Sequence, residues 1–184
     1  NKGIVPAAMI SSAGISRGSL KYLADTGRLD QVSRGVYTLP EVWEDEFVSI
    51  QERYKRGVFA LDTALFLHDL TDRTPHKFHM AFPYGYNTSS PKAAGILCSC
   101  KKEPYYSLGI ALVDTPAGNT VRAYNAEKTL CEILKPISHT DIQIITDAFK
   151  RYAGRKDKNI PLLSEYAHQL RVEKRLRPYL EVLL

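Results

Sequence analysis

Residues 3–39 read GIVPAAMISSAGISRGSLKYLADTGRLDQVSRGVYTL, and this stretch decides the fold at the start of the chain. Pro6 at a first-turn position, followed by apolar residues, predicts a short helix over residues 7–10. Ser16 is a good N-cap for a second helix, which is expected to stop at Gly27. The stretch therefore predicts two helices in close succession, separated by a turn.

The second predicted helix has one apolar face and one basic, polar face. Leu20, Leu23 and Ala24 follow one another at helical spacing, so only one face is expected to be buried. The other face carries Arg17, Ser19, Lys21 and Tyr22. A helix fits the major groove of DNA, and side chains near its N-terminus reach the edges of the bases. These side chains are therefore candidates for contact with DNA.

Two short strands after this helix predict a wing. They cover residues 29–33 and 36–39 and are joined by Arg34-Gly35. Arg34 at the tip of the wing can reach a phosphate or the minor groove, and Arg28 is a candidate phosphate binder. The alternative is a small helical module that contacts protein, in which Arg34 serves only solubility.

Charge is distributed unevenly along the 184 residues. The net charge of +5 and the pI near 9.1 favour an anionic partner. Residues 1–40 carry five basic and two acidic side chains, residues 41–54 are acidic, and residues 150–178 are basic again. Because the charge changes sign after the wing, we predict a winged-helix domain in residues 1–42 and a second domain in residues 43–184.

The hydrophobic pattern of the second part predicts helices, then a small sheet, then helices again, which is an α+β fold. The predicted helices cover about 45–56, 61–70, 126–135, 139–153, 160–170 and 173 to the end. The predicted strands cover 77–82, 95–101, 110–114 and 120–123, and residues 83–91 are predicted to form a loop.

Neither a metal site nor a cofactor is predicted. Cys98, Cys100 and Cys131 do not make a disulfide framework, and a structural zinc site needs four ligands. We expect buried free thiols instead. The chain shows no signal peptide and no long apolar run, so we expect a cytoplasmic protein without a membrane partner.

The charged and histidine side chains of the second part are interpreted as structural, which predicts a protein that is not an enzyme. His68 has no nucleophile motif near it and is expected to be a satisfied structural histidine. Glu127, Lys128, Glu132 and Lys135 all belong to the predicted helix after Tyr124, and Glu127 and Lys128 are expected to fix its start and to lie on a surface. The other two, Glu132 and Lys135, superficially resemble the E-x-K pattern of nucleases, but their spacing is wrong by one.

Three phrases of the sequence resemble AbiEi-type antitoxins. SRGSLKYLADTGRLDQVSRGVYTLP, at residues 16–40, resembles the winged-helix module of this family. RGVFALDTALFLHDLTDRTPHKFHMAFPYGYN at 56–87 and RAYNAEKTLCEILK at 122–135 resemble its C-terminal domain. The order and spacing of the phrases match the family, and together they span most of the chain.

The resemblance implies an antitoxin of a bacterial type IV toxin–antitoxin system that acts in abortive phage infection. The toxin is a nucleotidyltransferase-like protein from the adjacent gene, countered without a stable complex. The N-terminal module represses the operon by binding inverted repeats in its own promoter, and two copies bind cooperatively. The matching candidates for contact with double-stranded DNA are Arg17, Ser19, Lys21, Tyr22, Arg28, Ser33 and Arg34. The first helix of the winged helix is expected to precede Asn1 and to be missing.

Three alternatives to this function stay open at the level of sequence. One is an enzyme, and another is an RNA-binding protein, either of which would reverse the toxin's effect. The third is an antitoxin that masks the toxin by direct binding. The basic residues between 151 and 177 are interpreted either as a solvated helical face or as a second surface for nucleic acid.

Overall fold

A computed structural model describes residues 4–6, 16–33, 36–38 and 45–183 of the chain. The chain forms two compact units. The first unit comprises residues 1–55 and 114–121, and the second comprises residues 56–113 and 122–184. Helices and a mixed sheet confirm the predicted α+β class. The predicted domain boundary at residues 42 and 43 lies outside the described residues.

The described part of the first unit contains a three-stranded antiparallel sheet and two helices. Its strands are β1 (Ile4–Pro6), β2 (Asp30–Ser33) and β3 (Val36–Thr38), arranged in the order β1-β3-β2. Its helices are α1 (Arg17–Asp25) and α2 (Glu46–Arg53). The two strands of the predicted wing are thus confirmed, with a third strand beside them.

The start of the chain differs from the sequence-based expectation. Pro6 was expected in the first turn of a helix, but it is the last residue of β1 and pairs with Val36. The β-branched pair Ile4-Val5 favours a strand, and β1 lies at the edge of the sheet, where proline is tolerated. The predicted helix over residues 7–10 lies outside the described residues.

Both ends of α1 follow from local sequence, as predicted. The Ser16 side chain accepts a hydrogen bond from the Ser19 amide at 3.3 Å, which caps the first turn. Gly27 has φ +70°, and the amides of Gly27 and Arg28 donate to the carbonyls of Ala24 and Leu23 at 3.1 and 2.9 Å. This is a Schellman motif, which requires a residue with positive φ at this position. The helix therefore ends where the chain turns into β2.

Asp45 anchors the start of α2 within the first unit. Its Oδ1 accepts from the amides of Phe47 and Val48 at 3.0 and 3.4 Å. Its Oδ2 accepts from the Thr115 hydroxyl and, at 3.1 Å, from the Asn119 side-chain amide. Because Asp45 is buried and both of its oxygens are bonded, one carboxylate ties the helix to the distant 114–121 segment.

The second unit combines helices with a five-stranded mixed sheet. Two of these five strands extend into residues 114–121. The sheet contains β4 (Val58–Phe59), β5 (His79–Pro83), β6 (Leu97–Lys101), β7 (Ile110–Asp114) and β8 (Thr120–Tyr124), in the order β6-β5-β4-β8-β7. Strand β4 pairs antiparallel with β5 and parallel with β8, and β5 pairs parallel with β6. The helices are α3 (Leu61–Leu67), α4 (Ser89–Ala93), α5 (Ala126–Ile133), α6 (Ile142–Ala153), α7 (Ile160–Gln169) and α8 (Glu173–Leu183), with a 3-10 turn at Pro136–Ser138.

The predicted helices and strands of this part are confirmed, with ends that shift by a few residues. The predicted loop over residues 83–91 is wrong at its end, because α4 begins at Ser89. The Asn87 side chain accepts from the Ser89 amide at 3.0 Å and starts the turn from which α4 continues. None of the described helices is long and apolar enough to cross a membrane.

Helix α5 lies at the centre of the second unit. It packs against α3, α6 and α7, and every one of its eight residues is buried. Leu130, Ile133, Phe149, Tyr152 and Leu163 belong to the helical core around it. An amphipathic helix with a solvent face was expected here, so the charged side chains of α5 have surroundings that differ from those predicted.

Candidate nucleic-acid interface

Helix α1 presents an exposed polar face in the first unit. Lys21 is exposed, and Tyr22 keeps 66% of its surface in contact with solvent, which is unusual for a side chain of its size. Leu23 and Ala24, on the expected apolar side, are half-buried. This division between the two faces is the one that a recognition helix needs.

Ser19 has a structural partner as well as an exposed position. Its hydroxyl lies 2.9 Å from the Ser16 hydroxyl, and its amide donates to the same Ser16 oxygen. Both serines therefore contribute to the start of α1. A contact from Ser19 to DNA would use its remaining hydrogen-bonding capacity.

Arg28 is positioned by the end of α1 and by its neighbour in sequence. Its amide donates to the Leu23 carbonyl, and the side chain of Leu29 next to it is buried. The Arg28 side chain is exposed. The chain is therefore anchored on one side of this position while the guanidinium faces water.

The basic side chains of this surface are available to an external anion. Neither Lys21 nor Arg28 has an ion-pair partner among the residues that the structure describes. The exposed carboxylates of Asp25 and Asp30 lie on the same segment of chain and will repel phosphate, so the surface is only moderately basic. The side chains of Arg17 and Ser33 and the whole of Arg34 lie outside the described residues.

A second group of charged residues lies inside the second unit, and two of them were expected on a surface. Lys128 is fully buried and Glu127 is buried, so the predicted surface position is wrong for these two residues of α5, and Glu132 on the same helix is only 2% exposed. Lys135, just after the helix, is half-buried. Their position follows from α5 being covered on all sides, which the sequence of α5 does not indicate.

The ammonium group of Lys128 is surrounded by acceptors. Its Nζ donates to the carbonyls of Tyr105 and Leu108, the latter at 2.7 Å, and lies 3.5 Å from the centre of the Tyr124 ring. Glu132 Oε1 is 3.9 Å away. Burial lowers the pKa of Lys128 to about 7, and the charge of Glu132 opposes that shift.

Gly109 allows the chain to pass close to Lys128. This glycine has φ +68°, and a Cβ there would lie 3.0 Å from the Lys128 Cβ and 3.0 Å from the Asn125 side-chain oxygen. Its carbonyl accepts from the Asn125 amide at 2.8 Å, and Asn125 in turn caps α5. The carbonyls that receive the Lys128 ammonium are thus held against the start of the helix.

His68 is a satisfied structural histidine, as predicted. Its Nε2 lies 2.7 Å from the Tyr124 carbonyl, and Arg155 donates to the His68 carbonyl at 2.7 Å. Burial lowers the pKa of His68, although the Tyr124 carbonyl favours the protonated form. Among the described residues, no three His, Cys, Asp or Glu side chains are grouped so that they could hold a metal ion.

A comparison with known protein families finds a match at the N-terminus of the chain. Residues 1–40 match the family model described as a transcriptional regulator, AbiEi antitoxin. The resemblance predicted from sequence is confirmed for these residues. The match supports a role for the chain as an antitoxin and transcriptional regulator.

The fold of the chain as a whole has a solved counterpart. The crystal structure of the RV2827C protein from Mycobacterium tuberculosis is similar over 97% of this chain and 76% of that chain, with a TM-score of 0.51. The two sequences are 15% identical, so the likeness concerns the fold alone. No curated protein matches the chain.

The sequence predicted the family resemblance of residues 1–40, but it did not predict the burial of the carboxylates of Asp45, Glu127 and Glu132. The capping role of Asp45 has a local signal, because an aspartate stands immediately before an apolar helical run. Its long-range partners, Thr115 and Asn119, have no such signal. Glu132 has none either, because its burial depends on strands and loops that are remote in sequence.

Proposed function

We propose that this chain is a DNA-binding antitoxin that represses transcription of its own operon. The observation that carries the proposal is the match of residues 1–40 to AbiEi antitoxin regulators, which coincides with the exposed polar face of α1. Lys21 and Arg28 on this surface have no ion-pair partner among the described residues. The phosphates of duplex DNA can pair with these two side chains, and the major groove of the duplex fits a helix.

In the proposed complex, α1 lies in the major groove. Arg17 and Ser19 in its first turn face the edges of the bases, while Lys21 and Tyr22 lie one turn further along. Arg28, Ser33 and Arg34 then contact the phosphate backbone or the minor groove. The phosphate contacts fix the position of the module, and the first turn of α1 reads the sequence. Repression follows because the bound protein blocks the promoter.

Two copies are proposed to bind an inverted repeat in the promoter. Centres of half-sites one helical turn apart, about 34–36 Å, place both copies on one side of the duplex. Each copy then contributes its own phosphate contacts, so affinity rises steeply when both half-sites are present. The second unit is the proposed source of cooperativity between the two copies.

The antitoxin activity is proposed to be of type IV and to act in abortive phage infection. The chain would oppose a nucleotidyltransferase-like toxin without holding it in a stable complex. The test is co-expression of the two proteins followed by purification of one of them. We expect rescue of growth without co-purification. A stable complex at equal stoichiometry would contradict type IV action and favour direct masking.

The repressor activity is tested by binding to the upstream promoter over a range of salt concentrations. We expect tight binding to the promoter, and weaker binding to a scrambled duplex of the same composition. Arg17→Ala, Lys21→Ala and Arg34→Ala should each weaken binding. Each lost phosphate contact lowers the slope of log K against log salt by about 0.9, whereas loss of a base contact reduces discrimination by about 1–3 kcal/mol.

Lys92→Ala is the matched control for this experiment. Lys92 is an exposed lysine on α4, in the other unit and outside the basic residues between 151 and 177, so its loss changes the net charge equally without touching the proposed interface. We expect promoter binding by this variant to equal that of the wild type. Equal weakening by Lys92→Ala and Lys21→Ala, or no preference for the promoter over the scrambled duplex, would contradict the proposal.

A further inference from the structure

A cavity of about 420 Å³ in the second unit opens beside the buried charged residues of α5. Its wall includes Lys101 and Lys102 at the end of β6, Glu132 on α5 and Lys135 after that helix. Cavities of this size hold small organic ligands. None of these residues belongs to the proposed DNA interface, so the cavity is a separate feature of the molecule.

The lining of the cavity carries more positive than negative charge. The Lys101 ammonium lies 2.7 Å from Glu132 Oε1, and this pair is nearly neutral as a unit. Lys102 and Lys135 have no carboxylate within ion-pair distance among the described residues. Burial lowers the pKa of Lys135, and the charge of Glu132 opposes that shift. The two lysines together form a place for a negative group.

Glu132 is a second, independent feature of the cavity that bears on the chemistry of its ligand. Its side chain is 2% exposed and lines the cavity, and its Oε2 has no hydrogen-bond partner among the described residues. Buried carboxylate oxygens are nearly always hydrogen-bonded, and leaving one unsatisfied is costly. A ligand in this cavity that offers a donor, such as a hydroxyl or an amino group, would satisfy this oxygen of Glu132.

The remaining wall includes apolar and aromatic side chains beside Ser99, Cys100 and Ser138. Leu61, Tyr105 and Ile137 line the cavity, and Tyr105 and Ile137 are exposed at 40% and 82%. An aromatic ring and aliphatic side chains at the rim suit a flat or hydrophobic portion of a ligand. The cavity thus combines sites for an anion, for a donor and for an apolar ring.

We propose that this cavity binds a nucleotide, with the phosphate at Lys102 and Lys135, a ribose hydroxyl or base amino group on Glu132, and the base against Tyr105. Lysine ammonium groups bind phosphate as point charges, and the carboxylate then favours an anion that carries a hydrogen-bond donor over one, such as sulfate, that carries none. The ligand would be a free nucleotide or the 5′-phosphorylated end of an RNA, which share this chemistry.

Cys100 provides a local reporter for the test. The expected burial is wrong for this cysteine, which is exposed and lines the cavity, whereas Cys98 is half-buried and Cys131 is buried. Burial raises the pKa of Cys131 to about 12 and also raises the pKa of Cys98, so neither thiol should react quickly. The rate of maleimide labelling of Cys100, read by peptide mass spectrometry, therefore follows occupancy of the cavity.

The probes are sulfate, which carries no hydrogen-bond donor, and the four ribonucleoside 5′-monophosphates. We expect at least one monophosphate to protect Cys100 at a concentration about tenfold lower than sulfate does. The Lys102→Met/Lys135→Met double variant should need about tenfold more nucleotide for the same protection. Glu132→Gln should reduce the difference between the concentrations of nucleotide and of sulfate that protect Cys100. Lys102→Met alone, at an exposed position, repeats the test if the double variant does not fold.

The controls decide between specific and general charge effects. Lys174→Met removes an exposed lysine that does not line the cavity, and it should leave protection unchanged. A 5′-phosphorylated RNA that protects as well as a mononucleotide would assign the ligand to an RNA end, and weaker protection would assign it to the free nucleotide. No protection by any probe at about 10 mM, or equal protection in the double variant, would overturn the proposal, whatever the outcome of promoter binding.

Discussion

The two units place the same kinds of charged side chain in opposite surroundings. On α1 in the first unit, Lys21 is in contact with water and has no ion-pair partner among the described residues. On α5 in the second unit, Lys128 is fully buried and donates to two carbonyls. The first lysine is available to an external anion at little cost, whereas the second already serves the fold. Charge alone therefore does not indicate whether a lysine binds a partner.

The largest expected difference between the units is in the effect of removing these two lysines. Lys128→Ala leaves the carbonyls of Tyr105 and Leu108 without their donor and Glu132 with one cation fewer. We expect the free energy of unfolding of the second unit to fall by about 3–5 kcal/mol. Lys21→Ala should change the stability of the first unit by less than about 0.5 kcal/mol.

Denaturant unfolding, with amide hydrogen exchange to assign each transition to a unit, measures both changes. The same two variants should behave in the reverse order when promoter binding is measured under conditions where both are folded. Lys21→Ala should then weaken binding, and Lys128→Ala should not. A loss of less than about 1 kcal/mol for Lys128→Ala would show that water or neighbouring groups can replace its donors.

The same contrast explains what could be predicted from sequence. The limits of α1 were predictable because Ser16 and Gly27 act on the backbone next to them, through a cap and a positive φ. The position of Lys128 was not predictable, because its partners lie about 20 residues earlier in the chain and are brought to it by the fold. The DNA-contact candidates stay predictions, since Arg17, Ser33 and Arg34 belong to the part whose side chains are not described.

Strand β1 shows another way in which the structure differs from the prediction made from sequence. Pro6 fits both the first turn of a helix and the end of an edge strand, so its local signal is ambiguous. Pairing of Ile4 with Thr38 and of Pro6 with Val36 decides between the two. Signals that depend on a partner strand cannot be resolved within a short window of sequence, whereas caps can.

A comparison with a smaller expected effect tests whether burial, rather than the unit in which a residue lies, determines how much a charged side chain contributes to stability. Asp45 and Asp141 are both aspartates at the N-cap of a helix, and each accepts from the amide two residues later, at 3.0 and 2.7 Å. Their surroundings reverse the lysine comparison, because Asp45 is buried in the first unit and Asp141 is exposed in the second. Asp45 also accepts from Thr115 and Asn119, whereas no other side-chain donor to Asp141 is found among the described residues.

Asp45→Ala should therefore cost about 2–3 kcal/mol of unfolding free energy, since it removes a cap and leaves buried donors without an acceptor. Asp141→Ala should cost about 1 kcal/mol, which is the loss of a cap alone. Asp45→Asn separates the contribution of the helix cap from that of the contact with Thr115. The amide oxygen of the asparagine can still accept from the helix, whereas its nitrogen cannot accept from Thr115. The three variants are compared by denaturant unfolding assigned to each unit by hydrogen exchange. Equal costs for Asp45→Ala and Asp141→Ala would mean that the 114–121 segment contributes nothing through Asp45, and that burial is not what distinguishes the charged residues of the two units.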